Sequence, residues 1–121
     1  MKINGRERHF ELNVQAHNEI AAQLPGRDFG KLSEAYSEGS LKSVETDIMV
    51  AIALNRGYED HRHHEDPSYE PVYLTPEDFR FLPVDAITAM EQELLAVLRA
   101  DQVQEIETEP IRPKKAEKAA V

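Results

Sequence analysis

The chain contains no cysteine, which excludes disulfide bonds, thiolate zinc sites and cysteine nucleophiles. Long apolar runs are missing as well. No stretch approaches the length of about 20 residues that a transmembrane helix needs. The first ten residues, MKINGRERHF, also lack the apolar core of a signal peptide. The sequence therefore predicts a cytoplasmic protein.

Positive charge is scarce, with 14 Lys and Arg residues against 23 Asp and Glu residues and a formal net charge of −9. Nucleic-acid binders and proteins held to anionic lipid need basic surfaces, so neither nucleic acid nor a membrane is an expected partner. An acidic surface favours a basic face on a protein partner, although solvation alone also explains it.

Catalytic motifs are missing too. The sequence has no phosphate-binding Gly-x-x-x-x-Gly-Lys loop, no Gly-x-Ser-x-Gly elbow and no dinucleotide fingerprint. Carboxylate pairs such as Glu77/Asp78 and Glu91/Glu93 fall at helix starts or on polar faces, where nothing separates their pKa values into acid and base roles. We expect no enzyme activity and no cofactor.

What is present predicts a mainly α (α+β) fold in one domain, residues 1–100, followed by a disordered tail, residues 101–121. The chain of 121 residues fits one core. The tail is polar, has two prolines and no periodicity, and ends in a basic stretch. At the other end, Asn4-Gly5 predicts a β-hairpin over residues 1–12, because both central residues of a type I′ turn need positive φ.

Caps, stops and apolar spacings of three and four predict a small bundle of four to five helices after the hairpin. Asn13 caps a helix to about Leu24, Asp28 caps a short helix that Gly39 stops, and Ser40 caps a third helix, about 41–56. Thr75 starts a further turn through an imperfect capping box with Asp78. The last helix spans about 83–100.

The stripes of these helices are predicted to form the core. They are Val14, His17, Ile20, Ala21 and Leu24 in the first helix; Leu41, Val44, Ile48 and Ile52 in the third, widened by Met49, Val50 and Leu54; and Ile87, Met90, Leu94, Val97 and Leu98 in the last. A helix that is apolar around most of its middle, as the third is, is usually central to the fold.

Residues 57–74 sustain no period and predict a long loop, a feature that is often functional. It contains His61, His63 and His64 among carboxylates, which are ligand types for zinc and nickel. Their spacing matches no known helical metal motif and Arg62 lies among them, so a solvated loop is the preferred interpretation. The alternative is a metal-binding protein or metal-dependent enzyme built on these three histidines.

Surfaces are then the better candidates for function. An edge strand offers unpaired backbone groups to another chain and allows a homo-oligomer. The predicted partner contacts are Ile3, Phe10 and Leu12 on the hairpin and Tyr58, Tyr69 and Tyr73 in the loop.

The order of features also resembles a family. The start Met-Lys-Ile-Asn-Gly, the strand end Phe10-Glu11-Leu12, the helix Asn13-Val14-Gln15-Ala16-His17-Asn18-Glu19-Ile20 and the break Leu24-Pro25-Gly26-Arg27-Asp28 resemble the opening of phage tail assembly chaperones. The detailed resemblance covers residues 1–40, and the rest agrees in size and helical character.

This resemblance implies a helical, non-catalytic protein in the cytoplasm of a bacterial host cell. It would bind the long tape-measure protein, and tail-tube subunits, while a phage or prophage tail is assembled. A small oligomeric regulatory adaptor is a third interpretation, alongside the metal-binding one.

Overall fold

The computed structural model describes residues 1–37 and 42–108, the side chains of 35–37, 42–43 and 101–108 excepted. The chain is 67% helical, with an N-terminal two-stranded antiparallel sheet, so the predicted fold class is confirmed. The helices are α1 (Val14–Ala22), α2 (Leu32–Ser37), α3 (Lys42–Glu65) and α4 (Val84–Thr108), with short 3₁₀-helices at Pro25–Arg27, Phe29–Lys31 and Pro76–Phe79. No helix in the described part of the chain combines the length and apolar character needed to cross a bilayer.

The hairpin turn lies where the sequence predicts it. Strands β1 (Lys2–Ile3) and β2 (Arg6–Glu7) pair around Asn4 and Gly5, whose φ angles are +53° and +81°. The strands are shorter than predicted, because the chain after β2 leaves the sheet and runs along α3. There the backbone N–H of Glu11 donates to the carbonyl oxygen of Leu54 at 3.1 Å.

Helix α3 is the centre of the fold, and α1, α2 and α4 each pack against it. The predicted stripe of α4 is confirmed as core. The buried cluster consists of Ile3, Ala16, Ile20, Leu32, Val50, Ala51, Ala53, Leu54, Leu74, Phe79, Ile87, Met90, Leu94 and Leu98.

Helix α3 does not end near Gly57, so the predicted loop over residues 57–74 is wrong in its first half. Gly57 lies inside the helix because another chain segment crosses it there. A Cβ atom at this position would lie 2.8 Å from Asn13 Oδ1 and 3.1 Å from both the Ala16 Cβ and the Glu11 carbonyl oxygen. The glycine therefore permits close packing of α1 on α3 and does not stop α3.

An extended segment, residues 69–75, crosses α3 on another side, and we call it the crossing segment. Two buried polar residues of α3 hold it. The side chain of Asn55 accepts from the Leu74 N–H at 2.9 Å and donates to the His9 carbonyl at 3.2 Å. The Glu59 carboxylate accepts from the Val72 N–H at 3.1 Å. These bonds satisfy backbone groups that neither sheet nor helix would satisfy.

Helix α1 is rotated relative to the predicted face. Val14 is 76% exposed and His17 is exposed, whereas Ala16, Ile20 and Ala21 are buried. The small Ala16 side chain allows the close crossing at Gly57, and this tertiary contact selects the face. His17 instead stacks on Phe29, with 4.4 Å between ring centroids.

Two predicted features fall partly or wholly outside the described residues. Helix α4 continues beyond its predicted end near residue 100, as far as Thr108. The remainder of the predicted tail, residues 109–121, lies outside the described part, as do the stop at Gly39 and the cap at Ser40.

Candidate protein-binding surface

The apolar arc of α3 is wider than the area that its neighbours cover. Val50 and Leu54 are fully buried, since they face the core. Ile48, Met49 and Ile52 pack against the core only in part and remain half-exposed. Two of these three, Ile48 and Ile52, belong to the predicted main stripe, so the stripe does not face the centre of the core.

The three side chains form the floor of a groove between α1 and the start of the Pro76–Phe79 turn. Its volume is about 700 Å³, within the range of about 300–1,000 Å³ typical of ligand sites. It is lined by Glu19, Ala22, Gln23, Glu45, Ile48, Met49, Ile52, Ala53, Arg56 and Pro76. An apolar floor with polar and charged edges is the usual anatomy of a protein-binding patch.

The charged edge of the groove is mixed but contains two carboxylates. Glu19 of α1 lies 3.7 Å from the guanidinium of Arg56 and forms an ion pair across the groove. Partial burial raises the pKa of the Glu19 carboxyl, the charge of Asp60 adds to this, and Arg56 opposes it. Glu45 lies farther along α3 and is exposed.

One end of the groove is closed by contacts between α1, α3 and the crossing segment. Tyr73 donates its hydroxyl proton to Asp60, which also accepts from the Gln15 amide at 2.7 Å. This hydrogen bond raises the pKa of the Tyr73 hydroxyl. Arg56 lies over the Tyr73 ring, 5.2 Å from its centroid. Among the predicted partner contacts, Tyr73 is thus the one placed beside the groove.

Tyr58 and Tyr69 lie on a different side of α3, where they surround Arg62. The guanidinium donates to the Tyr58 hydroxyl at 3.0 Å and stacks 4.4 Å from the Tyr69 ring centroid. Tyr69 also donates to Glu59 at 2.7 Å, which raises the pKa of the tyrosine. The structure therefore does not join the three tyrosines into one surface.

The hairpin candidates serve the fold. Ile3 is buried in the core, and Phe10 and Leu12 are half-buried against it. The prediction that Ile3 contacts a partner is corrected, because its side chain is only 4% exposed. Residues 8–12 contact α3, and this apolar packing explains why the segment alternates in the sequence.

The three histidines lie in the last turns of α3, not in a loop. His61 places Nδ1 2.8 Å from Glu11 and Nε2 3.2 Å from Glu65, so both ring nitrogens face carboxylates. The hydrogen bond to Glu11, and then the charges of Glu11 and Glu65, raise the pKa of His61. His63 donates through Nδ1 to the Tyr69 carbonyl oxygen at 2.8 Å.

A shallow cleft of about 500 Å³ beside His61 is lined by Glu11, Asn13, Gln15, Gly57, Asp60, His61, His63 and His64. Its polar groups are engaged in joining α3 to α1. Within residues 1–37 and 42–108, no three His, Asp or Glu side chains are arranged to hold a metal ion.

The chain matches no protein-family model, and neither a curated protein nor a solved structure shows significant similarity to it.

Proposed function

We propose that this protein is a non-catalytic binding protein that takes up an amphipathic helix of a partner protein. The observation that supports it is the half-exposed apolar floor of Ile48, Met49 and Ile52 on the central helix. A helix that lays its apolar face into a groove presents anchors at spacings of three and four residues. The floor residues follow the same spacing on α3, so a partner helix has a matching row of contacts.

The charge of the chain favours a basic partner. Its net charge is −9, and Glu19 and Glu45 border the groove. Lysine or arginine residues beside the apolar face of the partner helix meet these carboxylates, which speeds association and selects orientation. A partner with acidic flanks is disfavoured by like-charge repulsion.

The proposed partner class is the tape-measure protein of a phage or prophage tail, with a tail assembly chaperone as the biological role. This step relies on the sequence resemblance over residues 1–40. A very long helical protein exposes apolar faces before assembly, and a groove of this kind covers such faces one helix at a time.

The test is a titration with a synthetic basic Leu/Lys peptide of heptad pattern, measured by calorimetry. A peptide of equal composition with scrambled apolar positions is the control ligand. Met49→Lys and Ile52→Lys should each weaken binding about tenfold or more, because each removes a buried apolar contact of roughly 1.5–3 kcal/mol. Val14→Lys is the matched control, since Val14 is an exposed apolar residue outside the groove.

Equal affinity for the two peptides, or equal affinity of Met49→Lys and wild type, would contradict groove binding. The partner class has a separate test. Co-purification with the product of a neighbouring gene for a very long helical protein is expected, and a gene neighbourhood without phage structural genes would refute it.

A further inference from the structure

A second apolar feature lies on the surface, in the turn between the Pro76–Phe79 helix and α4. Phe81 is 83% exposed and Val84 is 65% exposed, and we call this pair the Phe81 knob. An exposed aromatic residue beside a second exposed apolar side chain is typical of a contact anchor.

The knob is held in a defined position. The Asp78 carboxylate accepts from the Thr75 N–H at 2.8 Å and so closes the start of the turn. Phe79 on one side of the knob is buried in the core. Arg80 stacks over the Phe81 ring at 5.0 Å from its centroid. A side chain that is already ordered loses little entropy when it binds.

The knob complements the groove in chemistry and charge. Phe81 carries Arg80 beside it, whereas Glu19 and Glu45 border the groove. The groove offers about 700 Å³ and an apolar floor. The knob does not occupy the groove of its own chain, because Phe81 is 83% exposed there. A second copy of the chain is therefore the occupant that the described residues fit.

We propose that the Phe81 knob of one copy occupies the groove of a second copy when no partner helix is bound. Self-association and partner binding then exclude each other. This inference rests on the proposed function, since it uses the same groove. A buried Phe contributes only about 150–250 Å² of contact, far below the roughly 1,200 Å² of a stable interface. The self-contact is accordingly reversible, and a partner helix of larger area displaces it.

The experiment is sedimentation velocity over a range of protein concentrations, without peptide. Wild type should sediment faster as concentration rises, whereas Phe81→Ala and Met49→Lys should each remain monomeric. Val14→Ala is the matched control and should behave as wild type. Circular dichroism of each variant verifies that it is folded.

A mixture of the two monomeric variants gives the sharpest result. Phe81→Ala keeps its groove and Met49→Lys keeps its knob, so the mixture should form a 1:1 complex that neither variant forms alone. A wild type that stays monomeric, a Phe81→Ala variant that associates like wild type, or a mixture without complex would each overturn the proposal.

The peptide titration separates this proposal from the proposed function. Phe81→Ala should bind the basic helical peptide at least as tightly as wild type, since its groove is free. Peptide binding by a wild type that never self-associates would overturn the knob alone. Self-association that depends on Phe81, without any peptide binding, would overturn the proposed function alone.

Discussion

Replacing Gly57 with alanine tests the close crossing of α1 on α3. On helix propensity alone, alanine inside a helix is more stable than glycine by about 1 kcal/mol. The structure predicts the opposite sign. The added Cβ would lie 2.8 Å from Asn13 Oδ1 and 3.1 Å from the Glu11 carbonyl oxygen. Neither atom can easily move, because Asn13 Oδ1 accepts from the Ala16 N–H at 3.0 Å and caps α1.

The magnitude follows from these contacts. Overpacking costs about 1–3 kcal/mol, and loss of an N-cap costs about 1 kcal/mol. After the gain in helix propensity, Gly57→Ala should lower the free energy of unfolding by about 1–3 kcal/mol. Urea unfolding followed by circular dichroism at 222 nm measures this difference.

Asn13→Ala supplies the control as a double-mutant cycle. It removes the oxygen at 2.8 Å, so Gly57→Ala should destabilise the protein less in this background than in wild type. A Gly57→Ala protein that is more stable than wild type by about 1 kcal/mol would refute the role assigned to the glycine.

Three further predictions concern other polar contacts. Asn55→Leu leaves a buried carbonyl and a buried N–H unpaired and should lower the free energy of unfolding by about 2–5 kcal/mol in urea titrations, whereas a loss below about 1 kcal/mol would contradict that role. The pKa of His61 is raised by Glu11 and Glu65, so its stabilising effect is complete below the unfolded pKa and is lost as pH rises through the folded pKa. The free energy of unfolding should therefore fall between pH 6 and 8 more steeply in wild type than in His61→Gln, and parallel pH profiles would exclude this contribution. Asp78→Ala should lower the thermal midpoint through loss of about 1 kcal/mol of capping, and an unchanged midpoint would show that the cap is dispensable.

Local signals in the sequence predicted local structure well. Asn4-Gly5 makes the turn, Asn13 caps α1, and Asp28 accepts from the Gly30 N–H at 2.9 Å at the start of its turn. Each of these features depends on residues within a few positions of one another. Such contacts form wherever the rest of the chain allows them.

Features set by distant residues were predicted less well. Gly57 looked like a helix stop, since only the crossing of residues 11–16 shows why a side chain is excluded there. The same crossing rotates α1 and exposes Val14. The polar sequence after Gly57 favoured a loop, but the side chains are those of an exposed helix end.

The groove was partly visible in the sequence. The third predicted helix had more apolar positions than one buried face requires, and this excess was the available signal. Which positions stay open depends on where α1 and Pro76 lie, and no sequence period contains that information. The predicted core stripe therefore included Ile48 and Ile52, which line the groove.

The most direct test of groove binding uses the three methionines as reporters. Met49 lies in the groove, Met90 is 1% exposed in the core, and Met1 lies beside the hairpin. In a protein labelled with ¹³C at the methionine methyl groups, the basic helical peptide should shift the Met49 signal in the NMR spectrum and leave Met1 and Met90 in place. Peptide binding that shifts Met1 or Met90 while Met49 stays unchanged would contradict the account.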